Sequence, residues 1–261
     1  MEKLKIGLVH LEDKNYPHLL SQIYDPPYVL FYRGNLECLQ KDSVAIVGSR
    51  HASMESQKIT LDFSQKLSEI GFSIVSGLAY GIDSCAHRGN LRANSRLSQS
   101  GKTVAVLAGG LDSVYPKANI KLASAILEKG GCLVSEYAPC EKSVQYHFPA
   151  RNRIISGLCS SVIIMEAPPK SGSLITADFA IEQDRELFFH KNAVDYDLKL
   201  GNEFLKNKDT KTAKKMKQKR VAKYVEDGAT VIQSVDEFLK ALFNDNNITK
   251  NYASCQKDTL F

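Results

Sequence analysis

Apolar positions along the chain fall into two registers. Short unbroken apolar runs, rich in β-branched side chains, recur at Val44-Ala45-Ile46-Val47, Phe72 to Val75, Thr103 to Leu107, Cys132 to Val134, Val162 to Met165, Leu187 to Phe189 and Ala229 to Ile232. Such runs, bounded by Gly or Ser, are what strands buried on both faces require. Between them, apolar residues return every three or four positions. Ile59, Phe63, Leu67 and Ile70 mark a helix over Met54 to Ile70, ended by Gly71. Further helices are expected after Gly81-Ile82-Asp83 up to Arg92, over Ala118 to Lys129, and over Ile175 to Gln183. Strands alternating with helices at this spacing predict an α/β fold built on a doubly wound, mostly parallel, Rossmann-like sheet.

Residues 1–40 break that rhythm. Tyr16-Pro17 and Asp25-Pro26-Pro27 limit helix, and the apolar run Tyr28 to Tyr32 before Arg33-Gly34 reads as an edge strand, so this N-terminal extension is expected to be a clasp packed on the core. Residues 41–243 form the main domain and 244–261 a polar tail. Two polar segments interrupt the domain: Asn90 to Lys102, which reads as a mobile surface loop, and the lysine-rich Lys206 to Lys223.

Composition adds little to this picture and charge adds one thing. The 261 residues are 43% apolar and 24% charged, ordinary for a globular protein. The net charge of +5 is local: Lys206 to Lys223 holds nine Lys or Arg against Asp209, which is +8, and leaves −3 for the rest. That segment is either a solvated loop or an auxiliary electrostatic contact to an anionic polymer. Six scattered cysteines (Cys38, Cys85, Cys132, Cys140, Cys159, Cys255) contain no C-x-x-C and read as reduced, mostly buried thiols. Met1 to Leu20 lacks the apolar core of a signal peptide, and no run approaches membrane-spanning length. A cytoplasmic protein with no membrane partner is expected.

Candidate chemistry narrows by exclusion. Gly101-Lys102-Thr103 has the ending of a Walker loop, but the glycine needed five residues earlier is Arg96, and a strand follows where a helix should. No G-x-G-x-x-G follows the first main strand, so no dinucleotide or other cofactor is expected. Cys85, His87, Cys132, Cys140 and His147 lack the tight pairing of zinc ligands, so no metal is expected. Asp83 and His87, four apart at a helix start, either form an acid/base pair or fix a loop, the commoner use.

The strand ends, in contrast, share one chemistry. Gly48-Ser49-Arg50, Ser76-Gly77 with Gly81, Gly109-Gly110 and Ser171-Gly172-Ser173 all offer small residues whose backbone N–H groups can approach an anion. The last also precedes a helix, whose N-terminus adds positive potential. Each alone is an ordinary tight turn; four at one sheet edge favour a phosphate site. Nearby in sequence, His147, Phe148, Arg151, Asn152 and Arg153 combine two ring faces for stacked bases, an amide and two guanidinium forks. Either arginine can instead pair with a carboxylate such as Glu136 or Glu166.

Taken together, these segments resemble the bacterial DNA-processing protein A (DprA/Smf) family. The matching stretches are Ala45 to Arg50, Ser76 to Ala79 with Gly81-Ile82-Asp83 and Ala86-His87, Gly109-Gly110-Leu111-Asp112 with Tyr115-Pro116, Ser135-Glu136, Phe148-Pro149 with Arg151 to Ile155, and Glu166-Ala167 followed by Ser171 to Ala177. Tyr16-Pro17 and Asp25-Pro26-Pro27 match as well, so the resemblance covers roughly residues 14 to 190. It implies a homodimeric, non-catalytic protein of natural transformation that binds and protects incoming single-stranded DNA and helps load the RecA recombinase. It also implies that Arg50 and a lysine in the loop after Ser135-Glu136, here Lys142, contact DNA. Three departures stand out: His190-Lys191-Asn192 where the family has Pro-Gly, the basic insert between Gly201-Asn202 and Asp227-Gly228-Ala229, and too little chain for a C-terminal winged helix. Two rival readings remain. One is a nucleotide phosphoribohydrolase-like enzyme, whose phosphate loop Ser171 to Thr176 loosely matches but whose acid, Asp178, is out of register. The other is a scaffold that binds RecA without DNA.

Overall fold

The computed structural model describes residues 5–93, 100–206 and 220–243. Most of the basic insert (207–219), part of the polar patch (94–99) and the tail 244–261 lie outside the described residues, as do the expectations placed on them. In chain order the elements are β1 (Gly7–His10), α1 (His18–Ser21), β2 (Val29–Gly34), β3 (Ser43–Val47), α2 (Met54–Glu69), β4 (Ser73–Ser76), α3 (Ile82–Arg92), β5 (Thr103–Val106), α4 (Ile120–Glu128), β6 (Cys132–Ser135), α5 (His147–Gly157), β7 (Ser161–Ile164), α6 (Gly172–Glu182), β8 (Glu186–His190), α7 (Lys191–Lys206), α8 (Val221–Glu226), β9 (Thr230–Ile232) and α9 (Val235–Phe243).

The strands form a single nine-stranded sheet in the order β1-β2-β6-β5-β4-β3-β7-β8-β9. Only β2, among the described strands, runs against its neighbours. The sheet is thus mostly parallel with helices on both faces, a Rossmann-like α/β fold. Strand β3 shows why its sequence is an unbroken apolar run. Val44 and Ile46 point into a layer with Phe63 and Leu67 of α2 and Phe238 of α9. Ala45 and Val47 point the other way, towards Ile154 and Ile155 of α5 and Ala177 and Ala180 of α6. Each buried Val or Ile contributes about 1.5–3 kcal/mol, so both faces reward apolar side chains.

Three expectations change. The run at Val29–Gly34 is not an edge strand, because β1 pairs outside it, Gly7 opposite Tyr32. The helix expected from Ile175 starts at Gly172, because the Ser171 side chain accepts from Ser173 N and caps it there. The helix expected from Ala118 begins with a 3-10 turn, Lys117–Asn119, before α4 takes over. No helix among the described residues is long and apolar enough to cross a membrane.

Strand β3 sits where the site forms. It lies between β4 and β7, where the winding of the chain reverses, and the loops leaving β3 and β7 diverge. In open parallel sheets a crevice opens at the carboxyl ends of the strands at such a reversal.

Candidate functional site

The crevice is a cleft of about 710 Å³ walled by the loops after β3, β4, β5, β6 and β7 and by the start of α5. Its first wall is the Gly48-Ser49-Arg50 turn. A Cβ on Gly48 would lie 2.6 Å from Ile82 Cγ1 and 2.8 Å from the Glu166 carbonyl, so only glycine lets β3 end this close to α3. Ser49 N donates to that same carbonyl at 2.7 Å, and Ser49 Oγ accepts from His51 N at 3.1 Å. The serine is buried and shapes the turn. Arg50 is left at its tip, exposed, with the guanidinium carbon 5.4 Å from the centre of the Phe148 ring. That is cation–π range, and among the described residues no carboxylate forms an ion pair with Arg50. Gly81, at φ +70°, supports the turn from below: a Cβ there would meet the Ser49 carbonyl at 2.2 Å.

The back wall is a buried charge cluster. Arg151 of α5 is 4% exposed and donates through Nη1 to the Val106 carbonyl, while its Nε has no hydrogen-bond partner among the described residues. Its guanidinium lies against Gly77, where a Cβ would come within 2.0 Å of Nη1. Facing it, Asp83 accepts from the N–H of Gly77 (3.2 Å) and of Ala79 (3.3 Å). Burial pushes the Asp83 carboxyl up, and Arg151 opposes that rise. Burial likewise brings Arg151 down to about 10, with Asp83 opposing and Arg50 adding to the fall, so it stays cationic at neutral pH. His87 does not pair with Asp83. Its Nδ1 meets Thr103 Oγ1 at 2.7 Å, and burial together with Arg151 holds it down at about 3. Asp83 fixes the loop after β4, and His87 is a neutral core residue.

The third wall is the N-terminus of α6. Ser171 caps it, and Ser171 Oγ and Ser173 Oγ lie 2.8 Å apart. A Cβ on Gly172 would meet nothing within 4 Å, so the space beside it is open to the cleft. Asn152 reaches across, its Nδ2 donating to the Gly172 carbonyl at 3.2 Å. Gly48, Ser49, Arg50, Phe148, Arg151, Asn152, Ser171, Gly172 and Ser173 therefore come together around one space.

The other residues singled out from the sequence stand elsewhere. Arg153 is turned away from the cleft, its Nη1 and Nη2 each 2.7 Å from a Glu136 carboxylate oxygen and its Nε 3.0 Å from Asp25 Oδ2. Ser76 is buried and donates to the Ile46 carbonyl. Gly109 and Gly110 seat the loop after β6, since a Cβ would come within 2.5 Å of Ser143 Oγ or 2.6 Å of the Ala138 carbonyl. Lys142 is exposed on that loop, outside the wall to which its neighbour Ser143 contributes. The structure also adds His51, Tyr115, Gln145 and Thr176 to the lining. The Tyr115 ring is 5.6 Å from that of Phe148 at 62°, which makes a two-ring ledge beside Arg50. The chemistry available is anion binding by two guanidinium groups and a helix N-terminus, next to aromatic faces.

The family model for DNA recombination-mediator protein A matches residues 7–243. The chain is 48% identical over 176 residues to DNA processing protein DprA of Streptococcus pneumoniae, covering 67% of this chain and 60% of that protein. It is 41% identical over 188 residues to protein Smf of Escherichia coli, covering 72% and 49%. The chain thus spans about half to three-fifths of the length of these relatives. Among solved structures, that of DNA processing protein A from Streptococcus pneumoniae superposes with a TM-score of 0.72 at 37% identity, over 91% of this chain and 75% of the other. DNA processing protein A from Helicobacter pylori, described for its unique single-stranded DNA binding mode, gives 0.70 at 25% identity, over 93% and 97%. On sequence, on fold and on the match over nearly all the described residues, the chain belongs to the DNA recombination-mediator protein A family.

Proposed function

We propose that the cleft binds single-stranded DNA, with a backbone phosphate on Arg50 and the Ser171-Gly172-Ser173 turn, bases against Phe148 and Tyr115, and Arg151 supplying positive potential from behind. The observation that carries this is Arg50: an exposed guanidinium with no carboxylate partner among the described residues, poised over an aromatic ring at a strand end. The single-stranded DNA binding described for the Helicobacter pylori relative supports the same ligand. Phosphate contacts carry no base information and stacking tolerates any base, so sequence preference is low. Lys142 adds a contact from its loop. The whole protein is a cytoplasmic, non-catalytic homodimer that protects DNA during natural transformation and hands it to RecA, with residues 41–243 as the DNA-binding unit and 1–40 packed on it. Against an enzyme reading, Asp178 accepts from Tyr224 Oη at 2.6 Å rather than lining the cleft.

The test is fluorescence anisotropy of a labelled oligonucleotide. Arg50→Glu abolishes binding while the thermal melt stays put. Wild-type affinity falls with salt, each neutralised phosphate adding about 0.7 to the log–log slope. Equal affinity in the variant refutes the reading.

A further inference from the structure

A second hollow, of about 240 Å³, lies away from the cleft between α4 and the β2–β6 part of the sheet. Helix α4 packs on β5 and β6, and β2 carries the sheet on beyond it. Leu111 and Leu133, both fully buried, lie beneath the floor, its reachable apolar surface is that of the half-buried Val114 and Leu127, and Ile120 stands at the rim 48% exposed. Two cations flank this apolar surface: Arg33 from β2 and Lys117 from the 3-10 turn before α4. Neither forms an ion pair among the described residues. The acid in the lining, Asp112, accepts through Oδ1 from Cys140 N at 2.7 Å and is outnumbered by the two cations. The hollow therefore combines an apolar floor with a positive rim.

That combination suits one class of ligand. A nucleic acid gains nothing from an aliphatic floor, and no aromatic side chain lines the hollow to stack a base. A peptide that places bulky apolar side chains beside carboxylates satisfies both features at once. We propose that this hollow docks an acidic, apolar-tipped peptide segment of a partner protein, with the apolar group on Val114, Leu127 and Ile120 and the carboxylates on Arg33 and Lys117. No residue lines both the hollow and the cleft, although the neighbours Val114 and Tyr115 line one each, and both sites can be filled together.

The test uses the full chain and a fluorescein-labelled peptide, Asp-Asp-Asp-Leu-Phe, followed by anisotropy, with melts to check that each variant is folded. Saturable binding is expected, weakened at least about tenfold by Arg33→Glu with Lys117→Glu, and by Ile120→Asp. A peptide with Ser in place of Leu and Phe binds at least about tenfold more weakly. Excess oligonucleotide leaves peptide binding unchanged. If Ile120→Asp lowers the melt, Ser124→Glu, at an exposed position of the lining, takes its place. Any of four results overturns the proposal: no saturable binding, equal binding of the Ser peptide, displacement by oligonucleotide, or groove variants that change the sedimentation of the free protein, which would make the surface a contact between copies.

Discussion

Arg153 is the sharpest place to separate folding from binding. Replacing it with Met removes both bonds to Glu136, those to the carboxylate and carbonyl of Asp25 and the one to the Ala150 carbonyl, while keeping most of the side chain's volume. The Asp25 contact contributes little, because that side chain is 72% exposed. Glu136 differs: its side chain is 19% exposed and that of Arg153 12%, so the pair is largely withdrawn from water. Burial alone would lower the Arg153 pKa, and the Glu136 pair raises it instead. Breaking a fully buried pair costs about 3–5 kcal/mol, and the residual exposure of Glu136 brings this to about 2–3 kcal/mol. At this chain length each kcal/mol moves the melting temperature by about 2–4 °C, so the variant should melt about 4–12 °C lower. Scanning calorimetry reads that shift, and anisotropy with an oligonucleotide should show unchanged affinity at a temperature where the variant is folded. An unchanged melt with lost DNA binding would refute the reasoning and return Arg153 to the phosphate site.

The same geometry predicts three other responses. Gly77→Ala puts a methyl group 2.0 Å from Arg151 Nη1, so the guanidinium must move; a loss of about 1–3 kcal/mol in urea denaturation and weaker oligonucleotide binding are expected, and a neutral result in both would dismiss the contact. Ser171→Ala uncaps α6 and costs about 0.5–2 kcal/mol by thermal melt, whereas Ser171→Gly costs only about a few tenths. His87 gives a pH signature: the unfolded chain takes a proton below about pH 6.5, while folded His87 refuses it until about 3, so stability falls with pH through that window. From pH 7 to 5 this amounts to about 2 kcal/mol, with His190, also lowered by burial, acting in the same direction; His87→Gln should flatten the slope by its share.

The parallel core is legible in the sequence because strands buried on both faces leave an unmistakable record, as Val44 to Val47 do. What stays hidden is of two kinds. β1 is four residues of ordinary polarity whose pairing with β2 is tertiary, and no local pattern announces it. α5 has Pro149 in its first turn and buries His147 and Arg151, so its inward face carries polar residues where an amphipathic pattern would show apolar ones. The missing helix decides how the two arginines read. Positions 151 and 153 lie two apart, which on a helix puts them on nearly opposite faces, one towards Gly77 and the other towards Glu136. Without the helix they read as equal members of one clamp. Arg50 is legible as the end of a strand; its position over Phe148, about 100 residues away in the chain, is not.

The reversal of β2 has a consequence for synthesis. Phe31 of β2 finds its partner in Ser135 of β6, so β2 cannot take its place until 104 further residues have been made. At 5–20 residues per second that is a wait of roughly 5–20 s on the ribosome. Throughout it, β2 has only the short β1 beside it, and one row of its backbone N–H and C=O groups stays open to any passing strand. The first 40 residues are thus made early but assembled late, and completing the sheet at β6 removes that exposure.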